Sequence, residues 1–241
     1  MTKREGKKQE VRAMFNSIAN HYDFLNHFLS AGIDYSWRKK AIKLVGAHHP
    51  KTILDVATGT GDLAIAATVL NPDKIIGVDI AENMLAIGRK KIAEKNLKDL
   101  ITFETGDSEN LRFNDGSFDA VMVAFGVRNF ENLEKGLNEM FRVLNNKGVV
   151  VILEFSKPTR FGIKQLYSFY FRYILPFLGR KISGNSSAYT YLPDSVVEFP
   201  AGGQFLKILE NSGFKQTTYK QMSFGIASIY TGLKIYKDGT N

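Results

Sequence analysis

The stretch ILDVATGTGDLA, Ile53 to Ala64, decides the fold. An apolar run ends in small residues, two glycines and an acid, and a helical pattern starts directly behind it. Such a stretch carries a buried strand through a tight turn into a helix, the place where α/β proteins cradle a nucleotide. Outward from it the alternation continues. TILDVA (52–57) reads as a strand and DLAIAATVL (62–70) as a helix stopped by Asn71-Pro72. KIIGVDI (74–80), LITFETGD (100–107), FDAVMVAF (118–125) and GVVVILEF (148–155) read as further strands. AENMLAIGRKKIAEKN (81–96) and NLEKGLNEMFRVL (132–144) read as helices. Strands with little polar alternation, separated by helices, predict a doubly wound, mostly parallel sheet covered on both faces. After a helix at 202–213, residues 214–237 read as two strands turning near Gly225, an antiparallel hairpin that brings the sheet to seven strands. In front, residues 1–8 read as a frayed tail and 9–48 as helical, broken near Asn20–Tyr22 and Ser30–Ile33. Residues 157–195 interrupt the rhythm as a helical insertion.

The chain has 241 residues, 44% hydrophobic and 23% charged, which suits one packed α/β domain. No uncharged apolar stretch of about 18 residues occurs, so no membrane-spanning helix is expected. The basic start MTKREGKKQEVR is followed by no apolar run and does not read as a secretory leader. The chain has no cysteine, which excludes disulfides, thiolate–zinc sites and a thiol nucleophile, and makes the cytoplasm the default expectation. The net charge of +8, from 32 basic and 24 acidic side chains, fits an anionic partner or plain solubility. Residues 1–12 hold five basic and two acidic side chains, and residues 157–181 hold six basic side chains and no acid.

Gly59-Thr60-Gly61-Asp62-Leu63-Ala64 satisfies G-x-G-x-x-A, and Asp79 lies 20 residues past Gly59, so the turn passes formally as a dinucleotide fingerprint. Electrostatics oppose that ligand. A pyrophosphate needs the positive field of the helix N-terminus, and Asp62, with Asp55 on the strand, opposes it. S-adenosylmethionine brings a sulfonium and an ammonium, both favoured by nearby carboxylates. The glycines let the backbone approach the ligand closely. Thr60 can bond the methionine moiety, Asp79 the ribose hydroxyls, and Asp107, with Ser108, the adenine amino group. Thr58, Gly59, Thr60, Gly61, Asp62, Asp79, Asp107, Ser108 and Ala124 are the expected cofactor-binding residues. Singly, Asp62 reads equally as a helix cap and Asp107 as a turn former. No metal is expected, because His21, His27, His48 and His49 form no ligand set with acids.

Residues 50–155 and the terminal hairpin resemble the class I S-adenosylmethionine-dependent methyltransferases. The loop AFGVRNFEN (124–132) lacks the prolines of the amino-directed nucleic-acid enzymes of that fold, and no cysteine is present for a pyrimidine adduct. Nucleic acid is therefore not an expected partner. YDFLNHFLSAGIDYSW (22–37), RVL (142–144) and LEFSKP (153–158) resemble the ubiquinone/menaquinone biosynthesis C-methyltransferase family. Tyr22, Asp23, Asn26, Leu29, Ser30 and Trp37 meet its pattern, whereas Leu25 stands where methionine is usual, Asp34 where histidine is usual, and NNKG in place of KPGG. The insertion is more similar to the menaquinone branch.

That resemblance implies C-methylation of a prenylated quinol, demethylmenaquinol to menaquinol. Methylation of the polyprenyl methoxybenzoquinol of ubiquinone synthesis, of another small phenol or of RNA stays open, as does a noncatalytic binding module. Residues 1–48 would form part of the acceptor site and 49–241 the methyltransferase domain. Arg128 would stabilise phenolate charge, Asn129 orient the ring oxygen, Tyr22 wall the site or relay a proton, and Asp23 accept one. His27 is read as a surface or packing residue, and Trp37 as structural. Leu166, Phe169, Tyr170, Tyr173 and Phe177 recur at helical spacing beside Arg160, Lys164, Arg172, Arg180 and Lys181. The stripe suits either internal packing or transient contact with an anionic membrane surface. A homo-oligomer stays open.

Overall fold

The structure, a computed structural model, describes residues 4–30, 32–158, 160–169, 173 and 187–236. Its frame is a seven-stranded sheet: β1 (Thr52–Val56), β2 (Lys74–Asp79), β3 (Ile101–Thr105), β4 (Phe118–Ala124), β5 (Leu144–Phe155), β6 (Lys215–Met222) and β7 (Ala227–Leu233). The spatial order is β3-β2-β1-β4-β5-β7-β6, with parallel pairing from β3 to β5 and an antiparallel β6–β7 hairpin added through β7. The chain runs outward from β1 to β3 and then returns to β4 on the other side. The carboxyl ends of β1 and β4 therefore frame a crevice, where open α/β sheets bind ligands.

The helices are α1 (Arg4–Leu29), α2 (Ile33–Gly46), α3 (Asp62–Ala67), α4 (Glu82–Glu94), α5 (Leu133–Val143), α6 (Ile163–Phe169), α7 (Ser187–Glu198) and α8 (Gly203–Asn211). Trp37, Ala41 and Val45 of α2, Leu63 and Ala67 of α3, and Leu85 and Ile92 of α4 cover one face of the sheet. Leu137 and Met140 of α5 with Phe205 and Leu209 of α8 cover the other. This two-sided burial is why the strands lack polar alternation.

Three expectations are corrected. Residues 4–8 are helix rather than a frayed tail: Lys7 Nζ donates to the Phe130 carbonyl at 3.0 Å, and Lys8 Nζ to Asp107 at 2.7 Å. α1 runs unbroken through Asn20–Tyr22, because Ala19 and Tyr22 pack on Ala81 and Met84 of the α4 region and packing outweighs local propensity. β5 starts at Leu144, not Gly148, as NNKG forms a bulged strand opening in which the Asn145 amide donates to Asp119 at 2.7 Å. The break at Ser30–Ile33 is present. In the insertion, Tyr170, Arg172, Phe177, Arg180 and Lys181 lie outside the described residues.

The Phe103 ring of β3 lies under the glycine turn and sets its composition. Gly61 caps α3 in the left-handed region at φ 81°, where only glycine is at ease. A Cβ on Gly77 of β2 would stand 2.5 Å from Phe103 Cδ1 and 2.8 Å from Thr58 Oγ1. Gly77→Ala is accordingly expected to destabilise the protein by about 1–3 kcal/mol in urea unfolding, with Phe103→Leu recovering part of the loss in the double variant.

Candidate active site

Three clefts adjoin at the carboxyl ends of β1, β2 and β4. The first, of about 480 Å³ including its open mouth, is lined by Asp79, Ile80, Asp107, Ser108 and Asn129, with Lys8 and Phe15 of α1. The second, of about 350 Å³, is lined by Thr58, Gly59, Thr60, Asp62 and Ala124, with Tyr22 and Arg38 of the N-terminal helices. The third, of about 690 Å³, is walled by Phe15, Tyr22, Phe125 and Phe155, and Arg128 reaches into it. Ala57 joins the first cleft to the second, and Tyr22, Arg38 and Phe125 join the second to the third. The two loops between them meet closely: a Cβ on Gly126 would lie 2.6 Å from that of Ala57. Ala57 and Phe125 both hold positive φ, 53° and 59°, a strained backbone of the kind that accumulates where ligands are gripped.

The expected cofactor residues thus converge, apart from Gly61, whose role is the turn over Phe103. Their partners carry more detail than the sequence did. Asp79 accepts from the Gly59 amide at 2.9 Å and the Ala81 amide at 2.8 Å, which fixes its carboxylate at the end of β2. Asp107 forms its own turn, accepting from the Glu109 amide at 2.9 Å, and also binds Lys8. Asp62 has no capping bond. It pairs with Lys91 of α4, and His27 Nε2 lies 3.3 Å from its second oxygen. Burial works against the Lys91 charge, but Asp62 and Asp23 hold its pKa above the ordinary value.

Asp55 is the most informative acid. It is buried, accepts from Thr58 Oγ1 at 2.6 Å and has no salt-bridge partner among the described residues. Burial pushes its carboxyl up to about 7. A carboxylate in that condition is stabilised by an arriving cation and further destabilised by a phosphate. The residues present therefore fit a sulfonium–ammonium ligand and oppose a pyrophosphate.

The four expected catalytic residues are divided. Arg128 and Tyr22 line the third cleft. Arg128 is fixed by a partner the sequence did not disclose, the fully buried Glu154 of β5, at 2.8 Å. Its Nη1 also donates to the Phe125 carbonyl and its Nε to Ser195 Oγ at 3.3 Å. Burial pushes the Tyr22 phenol up, against the pull of Arg128. Asn129 instead lines the first cleft, accepting from Tyr191 at 3.1 Å. Asp23 lines none of these three clefts; it ties α1 to the glycine turn through Thr60 Oγ1 and shares Lys91, at 2.9 Å, with Asp62.

His27 is more than a surface residue. Its Nδ1 lies 2.7 Å from Asp34, which also binds Arg38 and accepts from Ser30 Oγ at 2.6 Å. Burial disfavours the Asp34 carboxylate, but Ser30, Arg38 and His27 outweigh it and hold its pKa below the ordinary value. The available signal was the departure at Asp34, where histidine is usual, with a histidine seven residues before it across the helix break.

Sheet order, acids at successive strand ends and a cation-favouring turn together define a class I S-adenosylmethionine-dependent methyltransferase, and S-adenosylmethionine is its cofactor. The sequence pattern of the ubiE/COQ5 methyltransferase family matches residues 2–234, and the chain belongs to that family. It is 47% identical to a demethylmenaquinone methyltransferase of Bacteroides fragilis, over 95% of each chain. It is 45% identical to a ubiquinone/menaquinone biosynthesis C-methyltransferase of Geobacter sulfurreducens, over 95% of this chain and 90% of that one. A SAM-dependent methyltransferase structure from Thermotoga maritima matches with a TM-score of 0.64 and 20% identity over 92% of this chain and 99% of that one, which establishes the fold.

The raised Asp55 pKa has a consequence with a fixed sign. Between about pH 4 and pH 7 the folded state keeps a proton that the unfolded chain has lost, so stability falls as pH rises through that window and stays reduced above it. Asp55→Asn is expected to raise the melting temperature of the free protein at about pH 8, and not at about pH 4, while weakening S-adenosylmethionine binding about tenfold or more. The parent's affinity is expected to fall as pH drops below about 7 and the variant's to stay flat, both read by calorimetric titration.

Proposed function

We propose that this chain methylates a ring carbon of a prenylated quinol, demethylmenaquinol, to give menaquinol. The observation that carries the proposal is an aromatic-walled cleft beside the methionine cleft with a buried, oriented guanidinium at its base. S-adenosylmethionine supplies an electrophilic methyl group on a sulfonium. The acceptor carbon must be electron-rich, which a quinol or its phenolate provides and a quinone does not. Arg128 stays protonated and acts as a fixed positive charge for the developing phenolate, not as a base. Among the described residues no group accepts from its Nη2, so that edge is available to a ring oxygen. Phe125 and Phe155, stacked at 4.4 Å, wall the ring and exclude water. The hydroxyl proton leaves as the phenolate forms, and the ring carbon takes the methyl as the C–S bond breaks and S-adenosylhomocysteine departs. Loss of the hydrogen on that carbon restores the aromatic ring while the oxygen regains a proton, so one proton is released in all. Ser30, Asp34 and His27 run outward from the cleft in hydrogen-bonded sequence to receive it.

The polyprenyl tail calls for a lipid surface. Phe161 is 88% exposed, and Leu166, Phe169 and Tyr173 are exposed near the exposed cations Arg160 and Lys164. Among the described residues no helix is long and apolar enough to cross a membrane. An apolar patch rimmed by cations suits reversible docking on an anionic bilayer face.

Labelled S-adenosylmethionine offered with reduced demethylmenaquinone, the oxidised form, or total RNA tests the acceptor. Label is expected in the reduced naphthoquinone alone, and label in RNA alone would overturn the assignment. Arg128→Ala is expected to lower kcat by about 10²–10³-fold with cofactor affinity little changed. In vesicle sedimentation, the protein is expected to bind phosphatidylglycerol but not phosphatidylcholine, with salt releasing it and Phe161→Ser/Leu166→Ser weakening it.

A further inference from the structure

The amino-acid end of the methyl donor is a zwitterion, and the acids described above answer only its positive charge. A cation is needed for the α-carboxylate. Arg128 lines the third cleft but not the second. Lys91 is committed to Asp23 and Asp62 and does not line the second cleft. Arg38 of α2 lines both, and among the described residues it is the one cation that does so.

Arg38 is 7% exposed and held on three sides. Nη1 donates to Asp34, Nη2 lies 3.8 Å from Asp62, and the guanidinium carbon sits 5.7 Å from the centre of the Phe125 ring. Its Nε–H is buried with no hydrogen-bond partner among the described residues. Buried donors are rarely left unpaired, because desolvation is not repaid. The donor is thus spare, charged, rigid and beside the glycine turn.

We propose that Arg38 receives the α-carboxylate of the methyl donor, with Asp62 taking the α-ammonium, so that an arginine–aspartate pair reads the zwitterion. The assignment rests on the cofactor reading of the clefts. Asp34, supported by Ser30 and His27, is then a positioning residue that presents Arg38 to the ligand. One consequence is discrimination against donors that lack a carboxylate. Another is that cofactor binding satisfies a guanidinium that also faces the acceptor cleft, so the two ligands meet across one side chain.

The test compares S-adenosylmethionine, decarboxylated S-adenosylmethionine and 5′-methylthioadenosine by calorimetry on the full chain. The parent is expected to bind S-adenosylmethionine about 10- to 100-fold more tightly than the decarboxylated form, the range of a charge-assisted hydrogen bond. Arg38→Gln should abolish that preference, the affinity for S-adenosylmethionine falling and that for the two carboxylate-free ligands not falling, and Arg38→Lys should restore part of it. Arg38→Gln/Asp34→Asn, which leaves no unpaired acid, serves as the second variant if the single one unfolds. Equal binding of all three ligands by the parent, or an equal loss for all three in Arg38→Gln, would overturn the assignment and leave the cofactor reading intact. Failure of the parent to bind any of them would overturn both.

Discussion

A carboxylate buried beneath a glycine turn, with no cation paired to it among the described residues, is the constraint on which this site depends. Asp55 sits on β1, next to the crevice where the strand order reverses, and burial raises its pKa to about 7. Such a group is costly to the free fold and becomes favourable only when a positive ligand arrives. Two further acids of the cofactor region add to the same sign, whereas Asp62 is paired with Lys91. Asp79 and Asp107 follow at the ends of β2 and β3, held by backbone amides and not by fixed cations, except where Lys8 reaches Asp107. A fold shared with dinucleotide-binding proteins is thereby committed to a different ligand by the placement of charge alone.

The cations are arranged to complement this. Arg38 and Arg128 are both buried against acids, Asp34 and Glu154, and each lies near an aromatic ring, Phe125 and Phe155. A buried ion pair adds little net stability, but it fixes geometry, and fixed geometry is what stabilisation of a developing charge requires. The N-terminal helices complete the arrangement. Phe15 and Tyr22 of α1 and Arg38 of α2 wall the clefts, so the segment before the first strand lines all three of them.

The sheet was legible because its strands are buried on both faces and its helices are short and punctuated, so periodicity changes sharply at each junction. The acids were legible because strand ends are predictable from those junctions, and Arg128 because the loop after the fourth strand sets a cation beside the crevice. What escaped the sequence depends on contacts far apart in the chain. Glu154 reads as one polar residue in an apolar strand until β5 brings it under Arg128. Lys7 and Lys8 read as a solvated tail because nothing local shows the carbonyls and acids that receive them. The His27–Asp34–Arg38 cluster requires the turn between α1 and α2, which brings an exposed-looking histidine back against a buried aspartate. Asn129, adjacent to Arg128, faces the first cleft because a single turn of 3₁₀ helix at Val127–Asn129 divides the two side chains between clefts.

The central claim is that ligand choice is written in an uncompensated buried carboxylate, and the ionisation of Asp55 measures it directly. Carbon-detected NMR of its side-chain carboxyl across pH is expected to show a pKa near 7 in the free protein, falling to an ordinary value or below when S-adenosylmethionine binds. A pKa near 4 in the free protein, or one that rises when the sulfonium ligand binds, would contradict the account.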